Sequence, residues 1–129
     1  MNRTEKALEN HKKGYNCAQA VICAFCDKTE FSEDELFKLS EAFGGGMGCG
    51  NVCGAVSAMV MLAGIITSRG ISALPETNKK ESYRISKELL DAFTEKNGSL
   101  ICESIKGENL RSCDGCIEDA VKILEEKLF

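Results

Sequence analysis

The chemistry this chain can offer lies in its thiols: eight cysteines, Cys17, Cys23, Cys26, Cys49, Cys53, Cys102, Cys113 and Cys116, against a single histidine and no tryptophan. Thiolates are soft ligands suited to zinc, copper(I) and iron–sulfur clusters, and paired thiols interconvert with disulfides. Six of the eight fall in short-spaced pairs: Cys23-Ala24-Phe25-Cys26, Cys49-Gly50-Asn51-Val52-Cys53 and Cys113-Asp114-Gly115-Cys116. The opening "MNRTEKALENHKKGYNC" has no continuous apolar run after its charges, so the expected location is the cytoplasm. Structural disulfides are rare there, and metal binding or thiol redox chemistry becomes the better reading. About half of the cysteines are expected to be small core residues, since free Cys is among the most buried types.

Each pair carries a different physical meaning. Cys53 is placed at the first turn of an apolar helix, where the helix dipole stabilises a thiolate, and Cys49 shares its face if both are helical. Cys113 and Cys116 open the last helix, an arrangement that favours reactive thiols. Cys23 and Cys26 lie among apolar residues of an amphipathic helix, and core packing is expected for both. The two C-x-x-C units are much farther apart than the roughly 15–20 residues of a zinc knuckle, so zinc is not indicated by spacing. Thiolates from distant elements can still gather round an iron–sulfur cluster. His11, between Asn10 and Lys12, is expected to be solvated, which leaves a Cys/His nucleophile pair without support.

The stretch "GGGMGCGNVCGAVSAMVMLAG", residues 44–64, raises the question of a phosphate loop. It has no Lys-Ser/Thr after the glycines, no preceding strand and no G-x-G-x-x-G within a βαβ unit, so no nucleotide is expected. Gly44–Gly46 read instead as a tight helix-to-helix turn using positive φ. The apolar run Val52–Ile66 falls short of the ~20 residues that cross a bilayer, so no membrane insertion is expected.

These residues must be positioned by helices. Apolar residues Ala7, Leu8, Tyr15, Ala18, Val21, Ile22 and Phe25 recur at helical spacing from Thr4 to about Cys26, with a weak point at Gly14. "FSEDEL" announces a second helix through a Ser32/Glu35 capping box, ending at Gly44. From about Asn51 to Ser68 a third is apolar on nearly every side, as a central buried helix would be. A fourth starts near Pro75 and is capped by Gly98. A fifth carries Ile117, Ala120, Val121, Leu124 and Leu128 behind "CDGC". No segment alternates with period two. The expected fold is an all-α, single-domain bundle of about five helices, residues 1–129, around one central buried helix. The net charge of −4, with no basic run or stripe, argues against a nucleic-acid partner.

Taken together, "GYNCAQAVICAF", "EAFGGGMGCGNVCGAVSAMVMLAG", the isolated Cys102 and "CIEDAVKILEE" resemble a family described as redox-active and named for its C_GCAxxG_C_C cysteine pattern. The resemblance runs over roughly residues 7–128. It implies four shared cysteines, which fall on Cys17, Cys53, Cys102 and Cys116; Cys23, Cys26, Cys49 and Cys113 lie outside the pattern. One departure is Ala58, where the family's CGAxxG has glycine. The helical core is also similar to that of split-Soret-type cytochromes, which implies an iron–sulfur cluster held by four thiolates. No haem is expected, because neither Cys26 nor Cys116 is followed by histidine.

Three readings result. Cys17, Cys53, Cys102 and Cys116 converge on an iron–sulfur cluster for electron transfer with a redox partner protein that the residues do not specify. The same cysteines perform thiol–disulfide exchange, with Cys53 attacking and a second cysteine such as Cys17 resolving. Or the chain is a helical binding or structural protein with core cysteines or a zinc staple. Homo-oligomerisation is left open.

Overall fold

The computed structural model describes all residues, Met1–Phe129. Seven α-helices follow one another: α1 (Arg3–Lys12), α2 (Cys17–Ala24), α3 (Glu33–Ser40), α4 (Gly54–Thr67), α5 (Lys79–Asn97), α6 (Cys102–Gly107) and α7 (Cys113–Lys127). The all-α architecture expected from the periodicity is present, with two more helices than expected. No helix is long and apolar enough to cross a membrane.

The first extra helix arises because the stretch from Thr4 to Cys26 is two helices. Gly14 takes φ 113, and Asn16, in extended conformation, restarts the chain as the N-cap of α2. The Asn16 side chain accepts from the Gln19 N–H at 2.9 Å, while the Gln19 side chain accepts from the Asn16 N–H at 2.9 Å. Asparagine competes with the backbone for such bonds and favours caps over helix interiors. Asn16 thereby places Cys17 at the first helical position. The second extra helix is α6, six residues within a segment too polar to show periodicity.

The Ser32/Glu35 capping box opens α3 as expected, with bonds of 2.8 and 3.1 Å. The helix ends at Ser40, short of Gly44, and a 3₁₀ turn of Glu41–Phe43 takes over. Gly98, at φ 78, caps α5, its N–H donating to the Thr94 carbonyl at 2.7 Å.

Helix α4 starts at Gly54 and is the central buried helix. Gly54 through Met59, Leu62 and Ala63 are buried, and α4 packs against α2, α5 and α7. One cluster of 24 buried residues joins it to Ile22 and Phe25 of the α2 end, Leu36, Leu89, Phe93, Ile117 and Leu124. Fully burying each large side chain contributes about 1.5–3 kcal/mol. The core therefore holds α2, α4 and α7 against one another.

Asn16→Ala is expected to lower stability by about 1 kcal/mol through the lost cap. Urea unfolding of the two proteins tests this; an unchanged midpoint shows that the cap contributes nothing.

Candidate functional site

Four helix starts meet at one end of the bundle. Cys17 is the first residue of α2, Cys53 the N-cap residue of α4, Cys102 the first residue of α6, and Cys116 lies in the first turn of α7 behind the Ser112 cap. Cys53 and Cys102 are held side by side by a short antiparallel bridge between Val52 and Ile101. In it the Cys53 N–H donates to the Leu100 carbonyl at 2.8 Å, and the Cys102 N–H to the Asn51 carbonyl at 2.7 Å. Residues far apart in the chain thus become neighbours through two backbone hydrogen bonds.

Glycines let these elements close up. A Cβ on Gly54 would lie 2.5 Å from the Cys17 sulfur and 3.1 Å from the Ala18 nitrogen, so the start of α4 can lie against α2 only as glycine. Gly46 has φ 66, and a Cβ there would lie 2.6 Å from the backbone N and O of Asn51 and 2.8 Å from Cys102 Cβ. Positive φ and close approach both require glycine at this position. The turn expected at Gly44–Gly46 takes positive φ at Gly45 and Gly46 but extended backbone at Gly44, and it runs on to Gly50, closed by the Asn51 N–H donating to the Gly46 carbonyl at 2.9 Å.

Between the four cysteines lies a cavity of about 20 Å³, lined by Cys17, Cys53, Cys102, Ile105, Lys106, Arg111, Cys113 and Cys116. That is room for about one water molecule. No three His, Cys, Asp or Glu side chains converge as a metal-holding group in this arrangement. The sulfurs instead contact one another: Cys53 is in hydrogen-bonding contact with Cys17 on one side and Cys116 on the other.

These contacts shift the thiols in different directions. The thiol of Cys53 donates to Cys116 and, with its own desolvation, is pushed up to about 11. Cys116 receives that hydrogen bond and is lowered. Cys17 donates to Cys53 and is raised further, against the favourable N–H groups of Gly45 and Gly54. Cys102 is raised by burial, with Lys106 opposing. Both Cys53 and Cys116 stand at helix starts, and of the two it is Cys116 whose thiol is lowered while that of Cys53 is raised.

Lys106 and Arg111 are the charged residues of the wall. The Lys106 ammonium is in hydrogen-bonding contact with Cys113, which holds the lysine charged. Arg111 is oriented by Asp119 through bonds of 3.1 and 3.3 Å. It crosses the first turn of α7 at Gly115, where a Cβ would lie 2.4 Å from its Nε. Neither cation was marked by a motif, since each reaches the site by folding and not by spacing. Cys113, outside the four-cysteine pattern, also lines the cavity.

The other cysteines do not join. Cys23 is buried in the core as expected, and its thiol is pushed up to about 12 chiefly by burial. Cys26 is half-buried and donates to the Phe31 carbonyl at 3.3 Å. Cys49 is exposed in the glycine turn, with non-helical backbone, and shares no helix face with Cys53. His11 is tied, not merely solvated: its Nδ1 lies 2.7 Å from Asp114 Oδ1, joining α1 to the start of α7.

An all-α bundle with four helix-start cysteines round one cavity defines a cysteine-centred class of protein. The family model "Putative redox-active protein (C_GCAxxG_C_C)" matches residues 15–127, and the chain belongs to that family. No curated protein and no solved structure matches the chain significantly.

Gly54→Ala is expected to cost about 1–3 kcal/mol, the usual range for overpacking, and to displace Cys17; urea unfolding and the alkylation rate of Cys17 read the two effects. Because the Cys53 thiol is raised from its ordinary 9.0 to about 11, the native state binds more protons than the unfolded chain between those values. Stability of the reduced, metal-free protein should therefore fall as pH rises from 9 to 11. The fall should be shallower in Cys53→Ala, and equal slopes contradict the thiol row.

Proposed function

We propose that the chain is an electron-transfer protein whose four-cysteine pocket holds an iron–sulfur cluster. The observation that supports this most strongly is that Cys17, Cys53, Cys102 and Cys116, from four separate helix starts, line one small buried cavity. A cluster of this kind supplies reversible one-electron chemistry when bound to thiolates. The donor set fits by its softness and number. Helix starts present unpaired N–H groups and partial positive charge, which favour an anionic occupant. Lys106 adds a full positive charge at the wall, and Arg111 a second that Asp119 partly offsets.

In the reduced, hydrogen-bonded arrangement the cavity of about 20 Å³ is too small for a cluster. Loading therefore requires the Cys17–Cys53–Cys116 row to part and the thiols to lose their protons. The surrounding bundle keeps bulk water away from Cys53, Cys102 and Cys116, each less than a tenth exposed. That burial suits passage of electrons better than direct attack on a large substrate.

A second reading is supported by the thiol row itself. Cys53 can form a disulfide with Cys116 or Cys17, giving up two protons and two electrons to a disulfide-bearing partner that leaves as a dithiol. In this case Cys116 is the attacking sulfur and Cys53 its proton donor and disulfide partner.

Anaerobic treatment of the purified protein with ferrous iron and sulfide, followed by absorption and EPR spectroscopy, separates the two. Retained iron and sulfide with a cluster spectrum, lost in serine variants at Cys17, Cys53, Cys102 or Cys116 but kept in Cys23→Ser, is the expected result. A colourless protein without iron rejects the cluster, and mapped Cys53 disulfides that follow redox poise then establish the second reading.

A further inference from the structure

We propose that Cys113 and Cys116 form a reactive dithiol in which Cys113 takes up low-molecular-weight disulfides from solvent, and oxidation of the pair withdraws Cys116 from the buried site. The position of Cys113 is what distinguishes it. It lines the inner cavity with Cys102 and Cys116, and it also lines a separate outer groove beside His11 and Asp114. Cys113 is half-buried, whereas Cys116 behind it is 4% exposed. A small disulfide can therefore reach Cys113 from the groove without entering the cavity.

The chemistry is local and balanced. Cys113 attacks the incoming disulfide, forming a mixed disulfide and releasing one thiol. The Cys116 sulfur then attacks the Cys113 sulfur, closing the intramolecular disulfide and releasing the second thiol. The net change is one small disulfide reduced to two thiols and one protein dithiol oxidised, with no other oxidant. Residues three apart on a helix have Cα atoms about 5 Å apart, within the ~4.4–6.8 Å that a disulfide spans. The Lys106 ammonium, in contact with the Cys113 sulfur, places positive charge where negative charge develops during exchange. Lys106 is otherwise exposed on α6.

This inference does not depend on cluster binding, because the dithiol reacts in the metal-free protein. Where the cluster reading holds, a closed Cys113–Cys116 bond removes one of four ligands and blocks loading.

The test uses full-length reduced protein carrying Cys49→Ser, which removes the exposed competitor, with oxidised glutathione as the probe. Samples are acid-quenched, alkylated and mapped by mass spectrometry. The expected product is a Cys113–Cys116 disulfide, formed at least ten times faster than any disulfide in the further variant Cys113→Ser. Cys116→Ser should instead accumulate one glutathione on Cys113, and Lys106→Gln should slow the reaction several-fold with an unchanged urea midpoint. A first disulfide joining Cys17 to Cys53, or equal oxidation rates with and without Cys113, overturns the proposal. Failure to bind iron in the separate reconstitution leaves this outcome untouched.

Discussion

The arrangement depends on thiols brought out of water at one point and obliged to satisfy one another. A buried thiolate without a partner is costly, and burial alone pushes a cysteine toward its neutral form. Here the contacts of Cys17 with Cys53 and of Cys53 with Cys116 raise the thiols of Cys17 and Cys53 and lower that of Cys116, so a negative charge is less costly at Cys116 than at the other two. Charge on a second sulfur breaks a hydrogen bond and sets like charges against each other. The row is thus a low-charge resting form, and any function needing more than one thiolate must bring compensating positive charge with it.

The fold supplies part of that compensation through its ends. A helix start directs N–H groups and partial positive charge outward, and the bundle aims the starts of α2, α4 and α7 at the same cavity. Such convergence needs backbones closer than most side chains allow. Gly54 meets it against Cys17 and the Ala18 backbone, and Gly46 against the Asn51 backbone and Cys102. The two glycines flank Cys53 and meet one steric condition: nothing larger than hydrogen can stand between the elements that carry the sulfurs.

Legibility in the sequence followed the range of the interactions. Local ones were readable: the Ser32/Glu35 box, the Gly98 cap and the apolar run of α4 each appear as residue patterns within one or two turns. The break at Gly14 was visible as a weak point, but its consequence was not, because Asn16 becomes a cap only once its side chain and that of Gln19 are seen to reciprocate. Helix α6 is too short for a hydrophobic period, and its Cys102 is located by a bridge to Val52 that no local rule contains. The four cysteines were singled out by family resemblance, while the places of Lys106, Arg111 and Cys113 at the cavity are tertiary facts. Helix-start position favours Cys53 and Cys116 alike, and only their contact with each other, a tertiary fact, shifts their thiols in opposite directions.

That order also divides labour among sulfurs that look equivalent in the sequence. Cys113 at the outer groove and Cys17 are half-buried, whereas Cys116, Cys53 and Cys102 are buried. A reaction requiring direct collision with a substrate is disfavoured at the three buried sulfurs, whereas electrons can reach them through intervening atoms. Cys116 belongs to both regimes, being one helical turn from Cys113 and in contact with Cys53. A bond between Cys113 and Cys116 would therefore take the Cys116 sulfur away from Cys53, so the outer and inner thiols are coupled through the first turn of α7.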